Sequence, residues 1–190
     1  MPGSSSLSPQ QRFRENLIKL GIQTQSHVDA EKHNFMCEND GRLYFRVDSV
    51  KFEDLYDWSN PDHKWRSHRV SGRQLRRSNS MPTGSLVELN EEGIALFRFK
   101  NLLFAIKEKC PHLGGPLHMG DIEVLPDMSI CVKCPWHKWR IDLTSGEVKS
   151  PKGRTEVSSV TFPTKIDENG TIFIGFQNFS GKYFSGDADF

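Results

Sequence analysis

No stretch of this sequence approaches the roughly 18 consecutive apolar residues that a bilayer-spanning helix requires. Hydrophobic residues make up only 36% of the chain, and mean hydropathy is -0.56. The opening residues Met1-Pro2-Gly3-Ser4-Ser5-Ser6 lack both a charged segment and an apolar segment behind it, so no secretory leader is expected and the chain reads as cytoplasmic. Cysteine is scarce as well. Four cysteines in a reducing compartment point to metal or redox chemistry before disulfides. Neither a membrane span nor a nucleic-acid partner is expected, and no internal repeat is visible.

The 190 residues suffice for one domain with a real core and some trimmings, and leave little room for two. Frequent Gly and Pro with 11% aromatics, 13 of them Phe, suit a loop-rich β protein with polar segments attached. The formal net charge of +1 hides an asymmetry. Lys64, Arg66, Arg69, Arg73, Arg76 and Arg77 lie in one acid-free run, leaving 19 basic against 24 acidic residues elsewhere.

Residues 1–41 read as an extension. Within it, Ser8 caps a short helix near 9–20, with Pro9 at the first helical position, Phe13, Leu17 and Leu20 on one stripe, and Gly21 as the stop. Residues 22–41 give no signal. From Leu43 the period becomes two, with Leu43, Phe45 and Val47 alternating with Tyr44, Arg46 and Asp48, as in a half-buried strand. Further strands are expected over 82–89, over 94–99 and 102–106 joined at Lys100-Asn101, and over 129–133, 139–143, 157–162 and 171–176. Gly120 to Asp127 reads as a polar excursion, and residues 178–190 as a tail.

Chemistry concentrates between Cys110 and Arg140. Cys110 and His112 form a Cys-x-His in one Pro/Gly turn, Cys110-Pro111-His112-Leu113-Gly114-Gly115-Pro116. Cys134 and His137 form a Cys-x-x-His in another, Cys134-Pro135-Trp136-His137-Lys138-Trp139. Two thiolates and two imidazoles can hold a tetrahedral zinc or a two-iron cluster whose irons have different ligands, and spacing alone does not choose. The 21 residues between His112 and Cys134 exceed the roughly 12 to 20 usual in small zinc modules, which is weak evidence. His118 is the rival ligand. Cys131 pairs with Cys134 as a Cys-x-x-Cys, yet it reads as a structural residue of the strand that delivers the second turn; Cys37 stands alone.

In these two turns the sequence resembles the Rieske [2Fe-2S] family, closest to its soluble ferredoxin-type, domain-containing proteins of animals. The resemblance covers roughly 42–177 and implies an all-β, antiparallel β-sandwich with both ligand-bearing loops at one end, besides the short N-terminal helix. It also implies a basic insertion, 56–81, of about 26 residues, a length that loop-closure entropy makes inexpensive. By the same resemblance Cys110 and Cys134 hold one iron of a single [2Fe-2S] cluster and His112 and His137 the other. Ser150-Pro151-Lys152-Gly153 resembles the family's third, proline-bearing loop, which covers the cluster.

Membrane-anchored members carry a disulfide between the loops, but the matching positions here are Gly115 and Trp136. High-potential members carry a Ser and a Tyr whose hydroxyls bond to cluster sulfurs; Trp139 and Ile141 stand there instead. The implied function is one-electron transfer from a flavin-type reductase to an oxygenase or other acceptor, with no substrate chemistry of its own. The alternatives are a non-catalytic iron-sulfur sensor and a zinc-bound interaction module. An oxygenase is not expected, because no His follows His137 to hold a mononuclear iron. Arg77-Ser78-Asn79-Ser80-Met81-Pro82 also matches the Arg-Ser-x-phosphoSer-x-Pro pattern read by 14-3-3 adaptors, given a phosphate on Ser80.

Overall fold

The computed structural model describes residues 35–37, 42–60 and 83–177. The expected helix near 9–20, the basic residues Lys64 to Arg77, Ser80 and the tail 178–190 lie outside the described residues.

The fold is all-β and antiparallel, with three four-stranded sheets among the described residues. The first has the order β1 (Phe35–Cys37), β2 (Leu43–Lys51), β12 (Thr171–Phe176), β11 (Thr164–Ile166). The second runs β10 (Thr161–Phe162), β5 (Leu102–Lys107), β4 (Glu92–Phe99), β3 (Ser85–Leu89). The third, β6 (Asp121–Val124), β7 (Ile130–Lys133), β8 (Arg140–Asp142), β9 (Val148–Ser150), supports the ligand loops.

β4 explains why the sheets adhere. Its apolar run is unbroken because both faces are buried: Ile94 and Leu96 join one core with Leu43, Phe45, Val47 and Ile174, while Ala95 and Phe97 join a second. That second core contains Ile106, Leu117, Val132 and Ile141, and also Cys110 and Cys134. The ligand thiols are thus built into packed structure. Asn90 and Glu91, with φ of 51° and 63°, make the two-residue turn between β3 and β4, and Lys100 (φ 56°) turns β4 into β5. Left-handed residues at such positions match the twist of the strands they join.

Several expectations change. Gly120 to Asp127 is not simply an excursion, since Asp121–Val124 pairs with Ile130–Lys133 as an edge strand. The expected strand over 157–162 shrinks to Thr161–Phe162, with Ser158 in an isolated bridge to Glu147. β2 is more than half-buried: Tyr44 is buried too, where Gly175 lies so close that a Cβ there would sit 2.8 Å from the phenol ring. Phe35–Cys37, in the stretch without signal, pairs with the start of β2. Trp58 is only 3% exposed and stacks edge-on to Tyr56 and Phe97, so the chain is still part of the core at the start of the expected insertion.

Candidate metal centre

The two ligand loops make the same turn twice. In the first, the Cys110 N–H donates to the Gly115 carbonyl at 2.9 Å and the Gly114 N–H donates to the Cys110 carbonyl at 2.8 Å. In the second, the Cys134 N–H donates to the Trp139 carbonyl at 2.8 Å and the Lys138 N–H to the Cys134 carbonyl at 3.1 Å. The fifth residue of each turn is left-handed, Gly114 at φ 71° and Lys138 at φ 62°. Glycine adopts that conformation without penalty; lysine does not. The Lys138 Nζ additionally donates to the Pro135 carbonyl at 3.0 Å.

The loops leave the frame side by side. The first follows β5 and ends in the short 3-10 turn Leu117–Met119, whose Leu117 N–H returns to the Glu108 carbonyl at 2.9 Å. The second joins β7 to β8, with Lys133 and Arg140 paired at its base. Glu123 on β6 accepts from both, Lys133 Nζ and Arg140 Nε each at 2.6 Å, and so clasps the stem of the loop. Burial pushes the Glu123 carboxyl up, but the two cationic donors outweigh it and hold it below the ordinary carboxylate range.

Like side chains meet like. The Cys110 and Cys134 thiols are both buried and interact with each other. The His112 and His137 rings lie 4.8 Å apart at 82°. His137 is exposed, whereas His112 is half-buried and stacks flat on Trp139, at 4.3 Å and 9°. Burial pushes the Cys110 thiol up to about 11, opposed by the His112 and Leu113 N–H groups, which donate to the sulfur. A metal must therefore displace the proton, and those N–H groups then face a thiolate. Gly115 closes the gap between loops: a Cβ there would sit 2.8 Å from Cys134 Sγ and 3.2 Å from the Trp136 ring.

The donor set fits a [2Fe-2S] group. Its soft and neutral ligands are paired separately, and His112 Nδ1 is a buried nitrogen with no hydrogen-bond partner among the described residues, which leaves it available to a metal. No three His, Cys, Asp or Glu side chains converge on one point among the described residues.

The remaining candidates separate from the site. His118 Nδ1 pairs with Glu108 at 2.7 Å. Cys131 is fully buried in β7, and burial pushes its thiol up to about 12, which leaves it unreactive. Ser150-Pro151 is a cis peptide following β9, and Ser150 pairs with Arg140 beside the second loop. Ile141 is fully buried and brings no hydroxyl. The sequence gives no warning of the Glu123 clasp or of the Trp139 stack, although Asp121-Ile122-Glu123-Val124 does alternate.

Residues 71–155 match the family described as soluble Rieske-type ferredoxin. A human Rieske domain-containing protein is 33% identical over an alignment 113 residues long, which covers 54% of this chain and 69% of that protein. Among solved structures, a protein assigned as the small subunit of an NADH-dependent nitrite reductase from Mycobacterium tuberculosis aligns with a TM-score of 0.52 at 16% identity. The alignment covers 71% of this chain and 96% of that one. At that identity the likeness concerns the fold. No helix among the described residues is long and apolar enough to cross a membrane.

Proposed function

This chain belongs to the Rieske family of soluble, ferredoxin-type proteins, and from that premise we propose that it is a one-electron carrier holding one [2Fe-2S] cluster per chain. Cys110 and Cys134 bind one iron, and His112 and His137 the other. The observation that carries this reading is the pairing of the two buried thiols with each other and of the two imidazoles with each other, on two turns of one design. When bound, the cluster supplies a reversible one-electron couple at a potential raised by its histidine ligands.

The chain's own residues do the rest. The His112 and Leu113 N–H groups stabilise charge on the Cys110 sulfur. The Gly115 backbone lets the loops approach, and the packed core beneath Cys110 and Cys134 excludes water from the thiolate side. His137, the exposed imidazole, is the route by which the electron leaves.

The donor in this reading is a flavin-type reductase and the acceptor an oxygenase or another redox protein. The frame runs over 42–177 and carries a basic arm, which in this reading either presents phosphorylated Ser80 to a 14-3-3 adaptor or, unphosphorylated, docks an acidic redox partner. Visible absorption with EPR of the reduced protein tests the centre. Replacing Cys110, His112, Cys134 or His137 with alanine is expected to abolish or transform the signal, and a normal Rieske spectrum in Cys134→Ala overturns the ligand assignment. Electron-transfer rates indifferent to both ionic strength and Ser80→Glu reduce the arm to a linker.

A further inference from the structure

Each ligand loop is closed by hydrogen bonds within its own backbone, so those bonds fix the shape of either loop without fixing one loop against the other. Metal-bound histidines are usually oriented by a hydrogen bond to the nitrogen that does not touch the metal. His112 has a ring contact besides. Its buried Nδ1, without a partner among the described residues, is the nitrogen left to the metal, while its face lies flat on Trp139 of the other loop, 4.3 Å away at 9°.

Trp139 is itself anchored, since its carbonyl accepts the Cys134 N–H at 2.8 Å. The second thiol and the indole on which the first imidazole rests thus hang from main chain joined by one hydrogen bond, and the indole packs against the core that contains Cys134. The second histidine has no flat stack of this kind among the described residues. His137 is exposed, and its tryptophan contact is an edge-on one to Trp136 at 6.5 Å.

We propose that Trp139 is the positioning residue for His112: the second loop's indole fixes the first loop's imidazole and thereby sets the orientation of one iron ligand across the loop boundary. The proposal rests on the ligand assignment above. It gives the two histidines separate duties, one clamped and one free to meet a partner.

The test uses the full chain loaded with its cluster and compares Trp139→Leu, which keeps apolar bulk without a ring face, with Trp139→Phe, which keeps a ring face. Readouts are the g-anisotropy of the reduced EPR spectrum and the rate at which an iron chelator strips the cluster. An aromatic stack is worth a factor of roughly three to ten in an equilibrium, so Trp139→Leu should lose its cluster faster by about that factor and show shifted g-values. Trp139→Phe should restore both towards wild type. Trp139→Met replaces the leucine variant if the latter does not fold. Wild-type g-values and stripping rate in the leucine or methionine variant overturn the proposal, as does equal impairment of the phenylalanine variant. A wild-type protein without any Rieske signal strikes the ligand assignment instead, so the two failures are distinguishable.

Discussion

Gly114 and Gly115 adjoin in the first ligand loop, yet an alanine at each should do different damage. At Gly114 a Cβ meets nothing within 4 Å, and the cost is backbone alone, φ being +71°. An L-residue in that conformation costs about 1–2 kcal/mol, a penalty the second loop already bears at Lys138. At Gly115 the conformation is no obstacle, but the Cβ would lie 2.8 Å from Cys134 Sγ and 3.2 Å from Trp136. Ordinary contact begins at about 3.5–4.0 Å, so the sulfur must withdraw by about 1 Å. The backbone cannot recede instead without releasing the Cys110 N–H, which the Gly115 carbonyl accepts at 2.9 Å. Functional groups must stay within about 0.5 Å of their working geometry, and the required shift is about twice that. Gly114→Ala should therefore lose about 1–2 kcal/mol in urea unfolding with an unchanged spectrum, whereas Gly115→Ala should lose its native cluster. Iron and acid-labile sulfide per chain, measured beside the visible and EPR spectra, distinguish the cases. A fully loaded Gly115→Ala with wild-type g-values refutes the steric argument.

Three other outcomes follow from the same site. Without hydroxyls at Trp139 and Ile141 to stabilise the added electron, the midpoint potential should fall near the low end of the range general to Rieske centres, on the order of -150 mV rather than +300 mV; protein-film voltammetry giving more than about +100 mV contradicts this. Cys131→Ala and His118→Ala should keep the native spectrum, the first at a stability cost of about 1 kcal/mol for its buried position, and loss of the cluster in either reopens the choice of ligands. Because the Glu123 carboxyl is held below its ordinary range, its stabilisation is present above about pH 4.3 and is lost as the pH falls below that value; acid unfolding of Glu123→Gln should lack that part of the transition, and an unchanged acid limb removes the clasp from consideration.

The ligand turns were legible because their signals are local: Cys, His, Pro and Gly crowd into six or seven residues each, and the chemistry of a turn is a matter of neighbours. The hairpin of β4 and β5 was legible for the same reason. β6 was not, because Asp121 and Glu123 look like loop residues until Lys133 and Arg140 from two other strands are placed beside them. Phe35–Cys37 is too short for any period to show. Trp58 falls within the expected basic insertion 56–81, and its place in the core is hidden because its packing partner Phe97 is remote in sequence. The contact between His112 and Trp139 joins loops whose separation in the chain carries no pattern at all. Lys138 looks ordinary until its turn is laid over that of Gly114.

The repeated turn bears on how the protein is loaded. Each copy is closed by bonds spanning four and five residues, and short closures cost little entropy and need no distant partner. Each turn is therefore closed by bonds that its own backbone makes. In zinc fingers the ion is the template and the chain is unfolded without it; turns that close on their own backbone are expected to depend less on such a template. A stripped chain should then keep its sheets, read as an unchanged far-ultraviolet circular dichroism spectrum after iron chelation, and loss of that spectrum would show that the cluster holds the loops' frame together.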